Sequence, residues 1–118
     1  MYKELKIWQE SMRLAKEAYL VSSGFPQEER FGLVSQIRRC AVSVPSNIAE
    51  GAGRKSDKEF LHFLSMASGS LYELETQLLL STYFGYSSKE SLDASFVPIT
   101  ALQKMLFKFQ EQLVVKTK

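Results

Sequence analysis

The chain has one cysteine and one histidine in 118 residues. With Cys40 alone there is no internal disulfide and no four-cysteine metal site. Cys40 falls at a helix-core position, where a small buried thiol is the ordinary reading. His62 is the sole imidazole, so a zinc site with several converging histidines is ruled out and a surface or interface place is expected for it. No apolar run approaches the roughly 20 residues that cross a membrane. No apolar signal core follows Met1-Tyr2-Lys3-Glu4-Leu5-Lys6. A soluble, cytoplasmic protein with no membrane partner and no cofactor is expected. Charge of one sign is also lacking: 15 basic residues face 13 acidic ones, for a net +2. That balance permits a polyanion partner without demanding one. Strand-like alternation, internal repeats and low-complexity segments are absent.

What the chain does have is helical periodicity over one domain's length. Leu5, Trp8, Met12, Ala15 and Tyr19 step by three and four along a first helix, from about Lys3 to Val21. Ser22-Ser23-Gly24 ends it, with Gly24 free to take a positive φ. Pro26 then suits the first position of a second helix, with Glu28 and Glu29 near its positive terminus. This helix is expected to run to Ala52, with a kink at Pro45 and a stop at Gly51-Ala52-Gly53. Ser56-Asp57-Lys58-Glu59 is a capping box that opens a third helix, ending near Phe84 and Gly85. Ser87-Ser88-Lys89-Glu90 repeats that signal for a fourth helix, ending near Val115. Ile99, Leu102, Leu106, Phe109 and Leu113 form its seam, and Pro98 either kinks it or marks its start. Short turns between long helices favour an all-α, up-down-up-down four-helix bundle as a single domain over residues 1–118.

The second helix is two-faced. At about 100° per residue, Gln36, Cys40, Ser43, Asn47, Glu50 and Arg54 share a sector of roughly 80°. Leu33, Ile37, Ala41, Val44 and Ile48 fill the next one. Gln36, Ser43, Asn47 and Glu50 are therefore expected to form a polar network between helices or subunits. They offer no base suited to activating a serine. Glu73 and Glu75 stand two apart on a helix, so they diverge and cannot act as a catalytic pair. Gly51-Ala52-Gly53-Arg54-Lys55-Ser56 lacks the spacing of a phosphate loop and follows a helix, so it reads as a helix stop and a new cap. Free N–H groups at the start of the third helix, beside Arg54 and Lys55, offer room for a phosphate oxygen. No enzyme is expected.

The third helix carries more apolar surface than one core needs. From Phe60 to Ser88 there is no lysine or arginine. Beside the core stripe of Phe60, Leu64, Ala67, Leu71, Leu74 and Leu78 runs a second one, Leu61, Tyr72, Leu79 and Tyr83. Met66, Leu80 and Phe84 make a partial third. Apolar surface beyond the core marks an interface, so Leu61, Met66, Tyr72, Leu79 and Tyr83 are the candidate contacts between copies of the chain. Ser65, Ser68, Gly69 and Ser70 would let another helix come close. The positive signal for a second partner is Arg38, Arg39, Arg54, Lys55 and Lys58, a basic group suited to the phosphates of RNA or DNA.

Trp8, Phe25-Pro26, Phe31-Gly32-Leu33, Gln36-Ile37-Arg38-Arg39, the run from Ser43-Val44-Pro45-Ser46 to Ile48-Ala49-Glu50-Gly51, and Gly69-Ser70-Leu71-Tyr72-Glu73-Leu74-Glu75 give the chain a family likeness. It resembles the bacterial 23S rRNA intervening-sequence protein family. The resemblance implies a four-helix bundle that assembles into a ring, typically a homopentamer. Some members are encoded inside insertions in 23S rRNA genes. The family is also similar to the accessory protein of diversity-generating retroelements, a basic pentameric barrel that binds nucleic acid and a reverse transcriptase. No catalytic residues come with the resemblance. Two functions follow as expectations: a homo-oligomeric scaffold that binds RNA or DNA, or a ring that docks a partner protein without touching nucleic acid.

Overall fold

A computed structural model describes residues 1–117 and consists of four helices: α1 (Lys6–Ser22), α2 (Leu33–Ala52), α3 (Asp57–Tyr83) and α4 (Lys89–Thr117). Two 3-10 turns, Tyr2–Glu4 and Gln27–Glu29, precede α1 and α2. Each helix packs on two others in cyclic order: α1 on α2, α2 on α3, α3 on α4 and α4 on α1. The result is an up-down-up-down bundle of 48 × 24 × 20 Å. Leu64, Leu71, Leu74 and Leu78 of α3 meet Ile37 and Ile48 of α2 and Ile99, Leu102 and Leu106 of α4, all essentially sealed from solvent. Each such side chain contributes about 1.5–3 kcal/mol of burial.

The helix ends follow local chemistry. The Ser56 hydroxyl accepts the Glu59 N–H at 3.2 Å and donates to the Glu59 carboxylate at the same distance, capping the start of α3. At the other end Gly85 takes φ +78°. The Tyr86 N–H reaches the Ser81 carbonyl at 2.9 Å, and the Gly85 N–H reaches Thr82 at 3.1 Å. This is the Schellman closure that only a left-handed residue allows without strain.

Several sequence expectations need correction. α2 starts at Leu33, not Pro26. Pro26 is extended (φ −56°, ψ 145°), and Gly32 (φ −108°, ψ −109°) breaks the path between the 3-10 turn and the helix. Gly24 does not use positive φ; the turn closes through Phe25 N–H to Ser22 C=O at 3.1 Å instead. The cap of α4 is Ser88, whose hydroxyl accepts the Ser91 N–H at 3.1 Å, while the Ser87 N–H is drawn back to Ser81. Pro45 lies inside α2, as expected, and Pro98 lies inside α4 rather than at its start.

The core face of α1 also differs. Ile7, Ser11, Leu14, Ala18 and Ser22 are buried, while Met12 and Tyr19 are exposed. The two stripes lie side by side on the helix. Ser11 and Ser22 tolerate burial because their hydroxyls donate to the Trp8 and Tyr19 carbonyls, at 2.7 and 3.3 Å. The displaced stripe lines an open groove against α2 of about 640 Å³, walled by Trp8, Met12, Tyr19, Val42 and Pro45.

Candidate nucleic-acid interface

The five basic residues of the sequence reading do not form one patch. Arg38 and Arg39 sit near the start of α2, and Arg54, Lys55 and Lys58 at its far end. Fourteen residues at 1.5 Å each separate Arg38 from Ala52, the last residue of α2, by about 21 Å along the axis.

At the first end, Arg38 is partly committed to the fold. Its Nε donates to Ser22 Oγ at 3.0 Å and a terminal nitrogen donates to the Tyr19 carbonyl at 3.3 Å. Its guanidinium lies 4.5 Å from the centre of the Tyr19 ring. It thus adds a further donor to the Tyr19 carbonyl, which already accepts the Ser23 N–H at 3.1 Å, and bridges α1 to α2. Arg39 is exposed. Arg30, which the sequence reading passed over, lies 5.5 Å from the Phe31 ring centre. Arg30, Phe31, Arg38 and Arg39 line one shallow depression of about 490 Å³, and Arg30 and Arg38 also wall an adjoining one of about 330 Å³. From Arg30 to Ala49 the chain has three arginines and no acid.

The anion-accepting end of α2 is already filled. Glu29 Oε1 accepts the Leu33 N–H at 3.2 Å and Oε2 accepts the Tyr86 hydroxyl at 2.7 Å. The Tyr86 bond, then the Leu33 bond, holds the Glu29 pKa below its ordinary value of 4.5. The same bond raises Tyr86 above 10.0. This carboxylate therefore ties the α3–α4 turn to the start of α2.

The second end is a packing joint with mixed charge. Arg54 meets Glu50 at 3.5 Å and lies 4.7 Å from the Phe63 ring centre. Lys55 and Lys58 are exposed, but Asp57 and Glu59 alternate with them. Glu50 to Glu59 contains three cations and three acids, so it is neutral by count. The expected phosphate seat at the start of α3 receives the helix's own anions: Asp57 and Glu59 lie in its first turn. Gly51, read as a helix stop, lies inside α2 against α3. A Cβ there would come within 2.7 Å of Phe63 Cβ and 2.9 Å of Phe60 Cδ1.

Between the two ends, the polar side of α2 faces α3. Ser43 and Ser70 share a hydrogen bond of 2.8 Å, and Asn47 Nδ2 donates to the Ser43 carbonyl and hydroxyl at 2.8 and 2.9 Å. The Cys40 thiol points at Glu73 Oε2 across 3.9 Å. Burial, with the Glu73 charge acting the same way, pushes its pKa up and keeps it an unreactive thiol. Gln36 and Glu50 are exposed and stand outside this network, Glu50 being turned to Arg54. Among the described residues no three His, Cys, Asp or Glu side chains converge as metal ligands.

Of the candidate contacts between copies, Met66, Tyr72, Leu79 and Tyr83 are exposed, with Tyr83 at 82%. Leu61 is half-buried against the bundle's own core. Tyr72 also borders a cleft shared with Phe107 of α4. The molecule thus has two apolar faces, one along the α1–α2 edge and one along the α3–α4 edge, on opposite sides of the bundle.

Among the described residues no helix is long and apolar enough to cross a membrane. No curated protein matches the chain. A crystal structure of a protein of unknown function from the S23 ribosomal protein family of Bacteroides thetaiotaomicron is similar in fold. Its TM-score is 0.83 at 22% identity, over 94% of this chain and 99% of that one. The model of the 23S rRNA-intervening sequence proteins matches residues 3–108. The chain belongs to that family, the 23S rRNA-intervening sequence proteins.

Proposed function

We propose that this protein is a non-enzymatic, homo-oligomeric scaffold that binds RNA or DNA through the arginine end of α2. The observation that carries the reading is the acid-free stretch from Arg30 to Ala49, which brings Arg30, Arg38 and Arg39 to one pair of surface depressions. Arginine forks suit phosphate oxygens, and contacts of this kind give affinity without sequence preference. Lys55 and Lys58 add a weaker second contact. A cyclic assembly repeats both at every subunit and multiplies a modest charge.

The two apolar faces support that assembly. A two-fold dimer needs one self-complementary patch, whereas two distinct patches pair head to tail and give a ring when the rotation between copies closes. Met12, Tyr19 and Val42 would meet Tyr72, Leu79 and Tyr83 of the next copy. The family's ring, typically a homopentamer, is compatible with this arrangement. Light scattering should give a mass several times that of one chain, and Tyr72→Glu with Leu79→Glu should reduce it to one.

The α1–α2 groove favours a second reading, in which the ring docks a partner protein such as a reverse transcriptase and makes no nucleic-acid contact of its own. Nuclease-treated protein titrated with labelled structured RNA and duplex DNA, from about 50 to 200 mM salt, separates the two. Affinity that falls steeply with salt supports the first. No binding at the lowest salt overturns it and leaves the docking ring.

A further inference from the structure

We propose that Arg30, Phe31 and Arg39 form a site for unpaired nucleotides, with a base stacked on Phe31 and the flanking phosphates held by Arg30 and Arg39; this rests on the nucleic-acid reading above. Phe31 is 89% exposed, more than any other large apolar side chain among those described. It stands in the loop before α2, outside the α1–α2 groove and far along the chain from the α3 stripe. Its neighbours explain why it is not simply a piece of apolar interface. Arg30 lies against its ring, and Arg38 and Arg39 share its depression. One guanidinium against the ring and two more lining the same depression oppose burial under an apolar partner, because they would have to be desolvated.

A nucleobase resolves that conflict. It offers a flat face to the ring while its own backbone offers phosphates to the arginines. Glu29 is bonded to the Leu33 N–H and the Tyr86 hydroxyl, and no acid is among the residues that line the depression. Arg38, held by Ser22 and Tyr19, gives the depression a rigid cationic wall. The faces of bases within a duplex are already stacked, so a ring of this kind distinguishes single strands from double strands.

The test is fluorescence anisotropy of the full chain with a single-stranded RNA and a hairpin duplex carrying equal numbers of phosphates. Phe31→Ala should weaken single-strand binding about tenfold, leave duplex binding unchanged and leave the salt slope unchanged. Phe31→Trp should keep single-strand affinity. Arg30→Gln and Arg39→Gln should each lower the salt slope by somewhat less than one. Three results would overturn the site. The first is Phe31→Leu binding single strands as well as the native chain does. The second is Phe31→Ala weakening both nucleic acids equally. The third is Phe31→Ala lowering the oligomer's mass, which would make Phe31 a subunit contact. Native protein that binds both nucleic acids alike, with Phe31→Ala inert, removes this site and keeps the broader reading. Native protein that binds neither overturns both.

Discussion

The two ends of α2 have the same number of cations and use them differently. At the start, Arg30, Arg38 and Arg39 gather without an acid in the twenty residues from Arg30 to Ala49. At the far end, Arg54, Lys55 and Lys58 are matched by Glu50, Asp57 and Glu59, and Arg54 lies on Phe63. One end leaves its cations unmatched by acids along the helix, and the other sets them among acids at a turn. The lesson is that a count of basic residues is not a count of available ones. What each guanidinium already touches decides its role.

The sharpest way to break this contrast is at Gly51. Gly51→Val should destabilise the fold by about 3 kcal/mol, because the added carbons meet Phe60 and Phe63 and two helix backbones must separate. Denaturant unfolding measures it. Nucleic-acid affinity of the remaining folded protein should fall no more than a few-fold, since Arg30, Arg38 and Arg39 lie at the other end of α2.

Next in size is Arg38→Ala, expected to cost about 1.5 kcal/mol through loss of its two hydrogen bonds to α1 and its contact with the Tyr19 ring. Arg54→Ala should cost under about 1 kcal/mol, because its pair with Glu50 is exposed. Thermal unfolding of the two variants compares them directly. A larger loss for Arg54 would reverse the assignment of roles.

Much of this was legible in the sequence. Leucines at three-and-four spacing gave α3 and α4 their buried faces, and the Ser56 box and Gly85 gave the bounds of α3 closely. The start of α2 was not legible, because it depends on Glu29 reaching Tyr86, 57 residues away. The core face of α1 was hidden because Ser11 and Ser22 are buried polar residues that a hydrophobic count ignores. The basic site was half legible. Arg38 and Arg39 stand out by sequence, but Arg30 and Phe31 follow a 3-10 turn whose periodicity does not separate it from the helix. The pairing of Arg54 with Glu50 is a plain i to i+4 spacing that the charge count had not used.

The smallest effect is a pH dependence at the Glu29–Tyr86 tie. The folded Glu29 pKa is lowered, so its share of stability is present above the unfolded carboxylate value and is lost as pH falls through the folded one. The folded Tyr86 pKa is raised, so its share is lost only as pH rises through a value above 10.0. Glu29→Gln should flatten the acid side of the stability curve and leave the neutral plateau lower. An unchanged acid slope would show that the tie contributes nothing in solution.

The most direct test of the account is a paired charge reversal. Arg30→Glu with Arg39→Glu, and separately Lys55→Glu with Lys58→Glu, are titrated with the same labelled RNA at about 50 mM salt. The account predicts that the arginine pair lowers affinity at least tenfold and the lysine pair only a few-fold, with helical content and assembled mass intact in both. Equal losses from the two pairs, or a larger loss from the lysines, would contradict it.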